Sequence, residues 1–326
     1  MLVAMAVAGC SAGANRPALG PAPTPSPTSV LLASPPSSVT TSSAPVTTEA
    51  PATTTTTRAP SVPARSLAAT PAALPRPGVW TPIGMSVNGT PLLTATLLQG
   101  RPAAPLTGVV RIAAGLTRPV LYAGLVEPGG SWPNQGAVAP PLRAFLVAAF
   151  NSGFHTYASG GGWYDHGRTA VPLRAGAASL VVTADGSATV GMWGRDVSLT
   201  PDVVSVRQNL GLLVDHAANL SATASWGATL GHVTYTWRSG LGVDAAGNLL
   251  YAGGPGLDAF SLAQVLIQAG AVRAMELDIN PAFVGFAFYT PFGGGIGGTD
   301  LVPGMAYSPG HWLSGSARDF IAIFVR

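Results

Sequence analysis

The stretch that most constrains this chain is residues 270–283, which read GAVRAMELDINPAF. Apolar and polar side chains alternate through its middle: Met275, Glu276, Leu277, Asp278, Ile279 and Asn280. A β-strand points successive side chains to opposite faces, so the apolar residues face a core and the polar ones share the other face. Pro281 cannot donate a ladder hydrogen bond, so we expect the strand to end there. The pattern predicts two carboxylates, with Cα atoms roughly 6.5 Å apart, and an amide at a strand end, where an α/β sheet often places chemistry.

The composition of the chain limits the size of its core and the kind of partner it can bind. The chain has 326 residues, of which 47% are hydrophobic and 9% charged, so it can bury a sizeable core. All sixteen basic residues are Arg, and four of them precede residue 78, which leaves 12 Arg against 12 acidic residues after it. With this balance and no run of like charges, the sequence predicts no nucleic-acid partner despite a formal charge of +3.

The N-terminus predicts export. Cys10 is the only cysteine, so no intrachain disulfide can form. It follows a short apolar run, and the segment Val-Ala-Gly-Cys at residues 7–10 resembles the lipobox of bacterial lipoproteins, in which the signal is cut before a cysteine that receives diacylglycerol. We therefore expect residues 1–10 to be a signal and Cys10 to anchor the chain to the outer face of the cell membrane. A cleaved or chance apolar N-terminus is the alternative.

Residues 11–77 differ from the rest of the chain in composition. They are rich in Pro, Ser, Thr and Ala and contain 14 of the 30 prolines. Such a segment cannot bury a core and favours extended, solvated chain. The sequence predicts a disordered linker there and one globular domain over residues 78–326.

Within that domain, short apolar runs separated by Gly and Pro predict strands. Asp185-Gly186 lies between two such runs and predicts a hairpin, and a second hairpin is expected over residues 232–252. Ser261 and Gln264 fit a capping box that opens a helix ending near Ala269.

One predicted unit decides the fold class. Strand 248–252, helix 261–269 and strand 272–279 together form a βαβ-type pattern, for which a right-handed crossover is expected. Many strands, few helices and one crossover helix predict the α+β class, with a mixed β-sheet in a single globular domain.

Three segments occur in an order that resembles the phosphodiester glycosidase domain family, the bacterial relatives of the enzyme that uncovers mannose 6-phosphate. They are AFNSGF at residues 149–154, RSGLGVDAAG at 238–247, and the helix and strand of 261–278 that end in Leu-Asp. The resemblance covers roughly residues 143–280. It implies a mixed α/β domain and a hydrolase that cleaves a sugar from a phosphate at a sugar-1-phosphodiester.

Carried over by position, the resemblance places Asn151, Arg238 and Asp278 at the family's motif positions. The chain departs from the family at two points: Ile-Asn-Pro follows Leu-Asp where the family usually has Gly-Gly, and Ser152 replaces the second glycine of the Asn segment.

The expected chemistry assigns a role to each candidate residue. The phosphate group that leaves a sugar-1-phosphodiester is a weak base and departs readily, so the reaction needs a carboxylate near the sugar and a cation on the phosphate. We assign Asp278 as the catalytic carboxylate with Glu276 as its partner, and Arg238 as the phosphate ligand. Asn151 and Asn280 are the remaining substrate-binding candidates. Alternatives stay open: Arg238 could pair with Glu276 or Asp278, Asn151 could form a strand-end turn, and the acids could be solvated strand-end residues.

No cofactor or metal is predicted. His155, Asp165 and His166 lie in a glycine-rich loop, but their spacing matches no metal-site signature. The sequence contains no Gly-x-Ser-x-Gly elbow and no nucleotide-binding loop. We therefore expect a cell-envelope hydrolase of a sugar-phosphodiester bond, whose partner is a glycan or sugar-phosphate substrate. The alternatives are a non-catalytic glycan- or wall-binding lipoprotein, and a protein-docking lipoprotein that uses the aromatic residues of 283–312.

Overall fold

Strands make up most of the described part of the chain in this computed structural model, which describes residues 67–69, 75–219, 226 and 233–326. In chain order the strands are β1 (Leu67–Ala69), β2 (Thr81–Val87), β3 (Thr90–Gln99), β4 (Leu106–Ile112), β5 (Thr117–Tyr122), β6 (Leu146–Asn151), β7 (Trp163–Asp165), β8 (Arg168–Val171), β9 (Ala178–Thr183), β10 (Ala188–Met192), β11 (Val203–Gln208), β12 (Leu212–Asp215), β13 (Ala217–Ala218), β14 (Thr236–Asp244), β15 (Leu249–Leu257), β16 (Ala271–Glu276), β17 (Phe286–Phe292), β18 (Gly295–Asp300) and β19 (Phe320–Val325). The helices within the same residues are α1 (Thr156–Ser159), α2 (Ala259–Gln268), α3 (His311–Ser314) and a 3-10 helix over Pro140–Phe145.

These strands form three sheets. The first sheet has nine strands in the order β1-β2-β3-β4-β15-β14-β16-β12-β13, the second has the order β18-β17-β6-β19-β5, and the third has the order β10-β9-β11-β7-β8. Every pairing between these strands is antiparallel. The predicted α+β class with a mixed sheet is therefore wrong, and the fold is β-rich and antiparallel.

The region predicted as a βαβ unit explains the error. Strands β15 and β16 do flank α2 and do run in the same direction, but β14 lies between them and pairs antiparallel with both. Leu241, at the middle of β14, is opposite Tyr251 on one side and Met275 on the other. The sequence shows the hairpin of β14 and β15 but not that β14 also separates β15 from β16.

Helix α2 covers one face of the first sheet. Its N-cap is Asp258, three residues before the predicted cap Ser261. The Asp258 carboxylate accepts from Ser261 N at 2.7 Å, and the Ser261 hydroxyl accepts from Asp258 N at 2.9 Å. Its apolar residues, including Leu262 and Leu266, pack against β14, β15 and β16. Gly240 allows this close approach, because a Cβ there would lie 2.9 Å from Leu266 Cδ1. The helix was predicted correctly and its N-cap was not.

The opposite face of the first sheet forms the main core with the second and third sheets. Buried residues of all three sheets belong to one cluster, among them Met85, Phe150, Leu180, Met275, Phe286 and Ile321. A smaller cluster on the outer face of the second sheet surrounds Trp312 of α3. The described residues belong to one compact unit, and in it the ends of β6, β16 and β19 come together.

Both predicted hairpins are confirmed, as β9 with β10 and β14 with β15. Strand β1 lies before the predicted domain boundary at residue 78 and pairs with β2. The predicted signal, Cys10 and most of the predicted linker lie outside the described residues. No helix in the described ranges has both the length and the apolar character needed to cross a membrane.

Candidate active site

A narrow cleft opens where β6, β16 and β19 end. Its walls are formed by Asn151, Ser152, Gly153, Asp278, Phe283, Tyr307, Trp312, Ser316, Arg318 and Asp319, and we refer to this set as the cleft. Strands β6 and β19 are neighbours, with Phe320 opposite Asn151, and the Ser239 N–H donates to Asp278 O at 2.8 Å, which holds the chain after β16 beside β14. The volume of the cleft is about 10 Å³, which is room for about one water molecule.

The Asp278 carboxylate lies in the wall of this cleft. One oxygen, Oδ1, accepts from the Asn280 N–H at 2.9 Å, and Oδ2 lies 3.4 Å from Arg318 Nη2. Burial raises the pKa of Asp278, and the Asn280 N–H and the Arg318 charge oppose that rise. Asp278 is therefore a stronger base than an exposed aspartate, and it faces a cation.

Arg318 is held by a network at the edge of the cleft. Its Nε lies 3.1 Å from Glu127 Oε2, its Nη1 lies 3.1 Å from His155 Nε2, and its Nη2 donates to Gly153 O at 2.9 Å. His155 Nδ1 lies 2.5 Å from Glu127 Oε2. The guanidinium can only donate, so this pattern places the ring proton of His155 on Nδ1, from which it is donated to Glu127.

Glu127 is the fixed anion of that network. Burial acts to raise the pKa of Glu127, but the Thr156 N–H, which lies 2.6 Å from Oε1, and the charge of Arg318 outweigh it and hold the pKa below its usual value. Glu127 therefore stays ionised and orients both the guanidinium and the imidazole.

Arg238 and Glu276 form a separate, buried ion pair. Arg238 Nη1 donates to Glu276 Oε1 at 2.7 Å, and the guanidinium also donates to Leu257 O at 2.9 Å and to Thr234 O at 3.4 Å. Glu276 lies two residues after Ala274, which packs against α2, so it faces the helix. Burial raises the pKa of Glu276 to about 7, although the Arg238 charge opposes it. The structure thus pairs Arg238 with Glu276, as the alternative interpretation allowed, and neither residue lines the cleft.

Asn151 lines the cleft, but its amide is engaged by the protein. Its Nδ2 donates to Ser152 O and to Ser239 Oγ, both at 2.9 Å, while its Oδ1 accepts from Gly285 N at 3.1 Å and from the Tyr251 hydroxyl at 3.2 Å. All four hydrogen-bonding positions of the amide are used. Asn151 therefore joins β6 to β14, to β15 and to the chain before β17.

Asn280 acts on the site through its backbone. Its N–H donates to Asp278, and its side-chain Oδ1 accepts from the Ala282 N–H at 2.9 Å, which closes a turn. The side chain of Asn280 is not part of the cleft wall.

Sequence reasoning missed the charged pair Arg318-Asp319. Asp319 Oδ2 accepts from Arg207 Nε at 2.6 Å, and Arg207 Nη2 in turn donates to Phe154 O at 2.6 Å. A signal was present, because two opposite charges directly precede the apolar run FIAIFV in a chain with only 9% charged residues. Nothing in the sequence showed that this pair lies across the cleft from Asp278.

The glycine-loop residues considered for a metal do not come together. His155 belongs to the network of Arg318, whereas Asp165 lies 2.7 Å from His166 and accepts from Ser205 at 2.5 Å in the third sheet. Among the described residues, no group of three or more His, Cys, Asp or Glu side chains is arranged to hold a metal ion.

A larger hollow lies away from the cleft. Its volume is about 360 Å³, and its walls include Arg118, Tyr122, His166 and Asp185. The Asp185 carboxylate accepts hydrogen bonds from the hydroxyls of Thr183 and Ser187 within its own turn. This hollow is the larger of the two, whereas in the cleft a basic carboxylate and a held cation face each other.

Comparison with known proteins gives structural likeness only. No protein-family model matches the chain, and no curated protein matches it. The structure is similar to the catalytic domain of zebrafish N-acetylglucosamine-1-phosphodiester alpha-N-acetylglucosaminidase auto-inhibited by its pro-peptide, with 16% identity and a TM-score of 0.48 over 73% of this chain and 85% of that one. A hypothetical protein from Synechocystis is similar with 15% identity and a TM-score of 0.38 over 74% of this chain and 65% of that one. Likeness at this level decides neither the family nor the activity of this chain.

Proposed function

We propose that this protein is a hydrolase that cleaves the glycosidic bond between the sugar and the phosphate of a sugar-1-phosphodiester. The observation that carries the proposal is the pairing of Asp278 with Arg318 across the cleft, with 3.4 Å between Oδ2 and Nη2. A carboxylate near the anomeric carbon and a cation on the phosphate are the two groups that this reaction requires.

Asp278 fits the reacting carboxylate. Because the phosphate monoester that departs is a good leaving group, the reaction gains little from a general acid and more from a carboxylate that activates water or stabilises positive charge at the anomeric carbon. The raised pKa of Asp278 makes it a better base than an exposed aspartate.

Arg318 replaces Arg238 as the proposed phosphate ligand. His155, Gly153 and Asp278 contact three of its five N–H groups within the described residues, and the contact with Asp278 is long. The Nε lies 3.1 Å from Glu127 as an ion pair without a hydrogen bond. One N–H on Nη1 and the weakly bound one on Nη2 can therefore donate to a phosphate oxygen without breaking the network. We assign Arg238 and Glu276 to the support of this region rather than to the reaction.

The test is hydrolysis of a sugar-1-phosphodiester by the full-length protein, followed as release of the free sugar. Asp278→Asn should lower kcat by a factor of about 100 or more, and Arg318→Lys should raise KM, because an ammonium cannot reproduce the fork of the guanidinium. The matched controls Asp202→Asn and Arg118→Lys change exposed residues and should behave as wild type. Full activity in Asp278→Asn would refute the assignment.

A second candidate is a non-catalytic glycan-binding protein. The rings of Phe283 and Tyr307 line the cleft, and Tyr157, which is 83% exposed, stacks on His155 at 4.8 Å. Aromatic rings beside a shallow polar site suit sugar binding without chemistry. This candidate predicts that wild type binds sugar phosphates in calorimetry but releases no free sugar from the diester, whereas the hydrolase proposal requires that release.

The proposal includes export and a lipid anchor at Cys10, which rest on the sequence. Metabolic labelling with a fatty-acid probe should modify the wild-type chain and not Cys10→Ser. Labelling of both chains, or of neither, would contradict the anchor.

A further inference from the structure

Four residues of the cleft wall have a buried polar atom without a hydrogen-bond partner within the described residues. One is Arg318 Nε, whose contact with Glu127 is an ion pair. The other three, which we call the floor of the cleft, are Ser152 Oγ, Trp312 Nε1 and Asp319 Oδ1, on residues that are 2%, 0% and 3% exposed. A buried polar group left without a partner costs roughly 1–3 kcal/mol, so protein interiors rarely keep several together. Such a group of atoms indicates a place that another molecule completes.

The fold brings these residues together. Ser152 follows Asn151 and Asp319 precedes Phe320, and Asn151 and Phe320 form the last pair of the ladder between β6 and β19. The ring of Trp312 packs beside Phe320, with 6.4 Å between centroids, and all three floor residues line the cleft. The free volume there, about 10 Å³, admits one small group.

The hydrogen-bonding properties of the three atoms indicate which chemical group fills this place. The Trp312 indole can only donate, the Asp319 carboxylate can only accept while ionised, and the Ser152 hydroxyl can do either. A hydroxyl group matches them, because it accepts from Trp312 and donates to Asp319 at once. A deoxy sugar, which has a hydrogen at this position, leaves the three atoms without a partner. An acetamido group on the sugar is too large for the free volume.

We propose that the floor of the cleft is a subsite for a single hydroxyl group of the sugar, with Ser152 and Trp312 as specificity-determining residues. This inference rests on the proposed function, since it assumes that a sugar phosphate occupies the cleft. It narrows the substrate class to sugars with a free hydroxyl at the position that reaches the floor.

The test is calorimetric binding of glucose, galactose and mannose 1-phosphates to the full-length protein, followed by the monodeoxy analogues of the tightest binder. One deoxy analogue should bind wild type about tenfold more weakly than its parent. Ser152→Ala and Trp312→Phe should each lower the affinity for the parent sugar phosphate about three- to tenfold. Each variant should bind that deoxy analogue within about twofold of the affinity that wild type has for it. Ser131→Ala, which changes an exposed serine, is the control and should bind as wild type.

The outcomes separate the two proposals. If the parent binds but every deoxy analogue binds equally well, or if the variants weaken parent and deoxy analogue alike, the hydroxyl subsite is refuted and the sugar-phosphate site stands. If wild type binds none of the hexose 1-phosphates, the proposed function fails and the subsite fails with it.

Discussion

The ion pair of Arg238 and Glu276 offers the sharpest test of which charged residues support the fold. Glu276→Leu leaves a guanidinium that is buried and keeps only the carbonyls of Leu257 and Thr234 as partners. Breaking a buried pair by removing one member costs about 3–5 kcal/mol. Arg238→Met leaves Glu276, which can take up a proton, whereas an arginine cannot release one. We therefore expect the Glu276 variant to lie at the upper end of that range and the Arg238 variant at the lower end.

The double variant, Arg238→Met with Glu276→Leu, should recover most of this loss. It replaces the pair by apolar side chains of similar volume, a change that is often neutral or stabilising. The assay is urea unfolding at pH 8.5, where Glu276 is ionised, followed by tryptophan fluorescence. We expect the double variant within about 1 kcal/mol of wild type and with wild-type hydrolysis. Additive losses, or a well-folded double variant without activity, would refute the structural role of the pair.

Three further outcomes follow from the site. Because burial raises the pKa of Glu276 from 4.5 to about 7, the folded state binds its proton more tightly than the unfolded state. As the pH rises from about 4.5 to 7, the free energy of unfolding should therefore fall by on the order of 3 kcal/mol. Urea titrations of Glu276→Gln should lack that fall. Glu127→Gln should raise KM about tenfold with little change in kcat, because Arg318 is held less firmly; an equal drop in both kcat and kcat/KM would contradict a positioning role. Asn151→Ala should lower the free energy of unfolding by about 2–4 kcal/mol, whereas Tyr251→Phe should lower it by less than about 1.5 kcal/mol. Equal losses would contradict the role of the Asn151 amide in joining several strands.

The sequence was most informative where hydrophobic periodicity acts within one element. Strand β16, helix α2 and the hairpin at Asp185 were predicted from local patterns, and each forms. The prediction that Glu276 and Asp278 share one face failed to describe the site, because the regular strand ends at Glu276 and both Leu277 and Asp278 then bond to Ser239. Alternation holds only while a strand continues, so Asp278 lies in the cleft while Glu276 faces α2.

The rest of the site depends on pairing between distant segments. Arg318 follows Asp278 by 40 residues, and its position is set by β19 pairing with β6. Likewise, the place of β14 between β15 and β16 is decided by a strand order that no local signal encodes. Antiparallel sheets with long-range connections therefore hide both their class and their active-site partners from single-sequence reasoning.

The most direct measurement is a crystal structure of the protein with the sugar 1-phosphate that binds most tightly. The account predicts the phosphate on the Arg318 guanidinium, the anomeric carbon beside the Asp278 carboxylate, and Arg238 still paired with Glu276 beneath α2. A sugar phosphate bound in the larger hollow beside Arg118, or a phosphate held by Arg238, would contradict it.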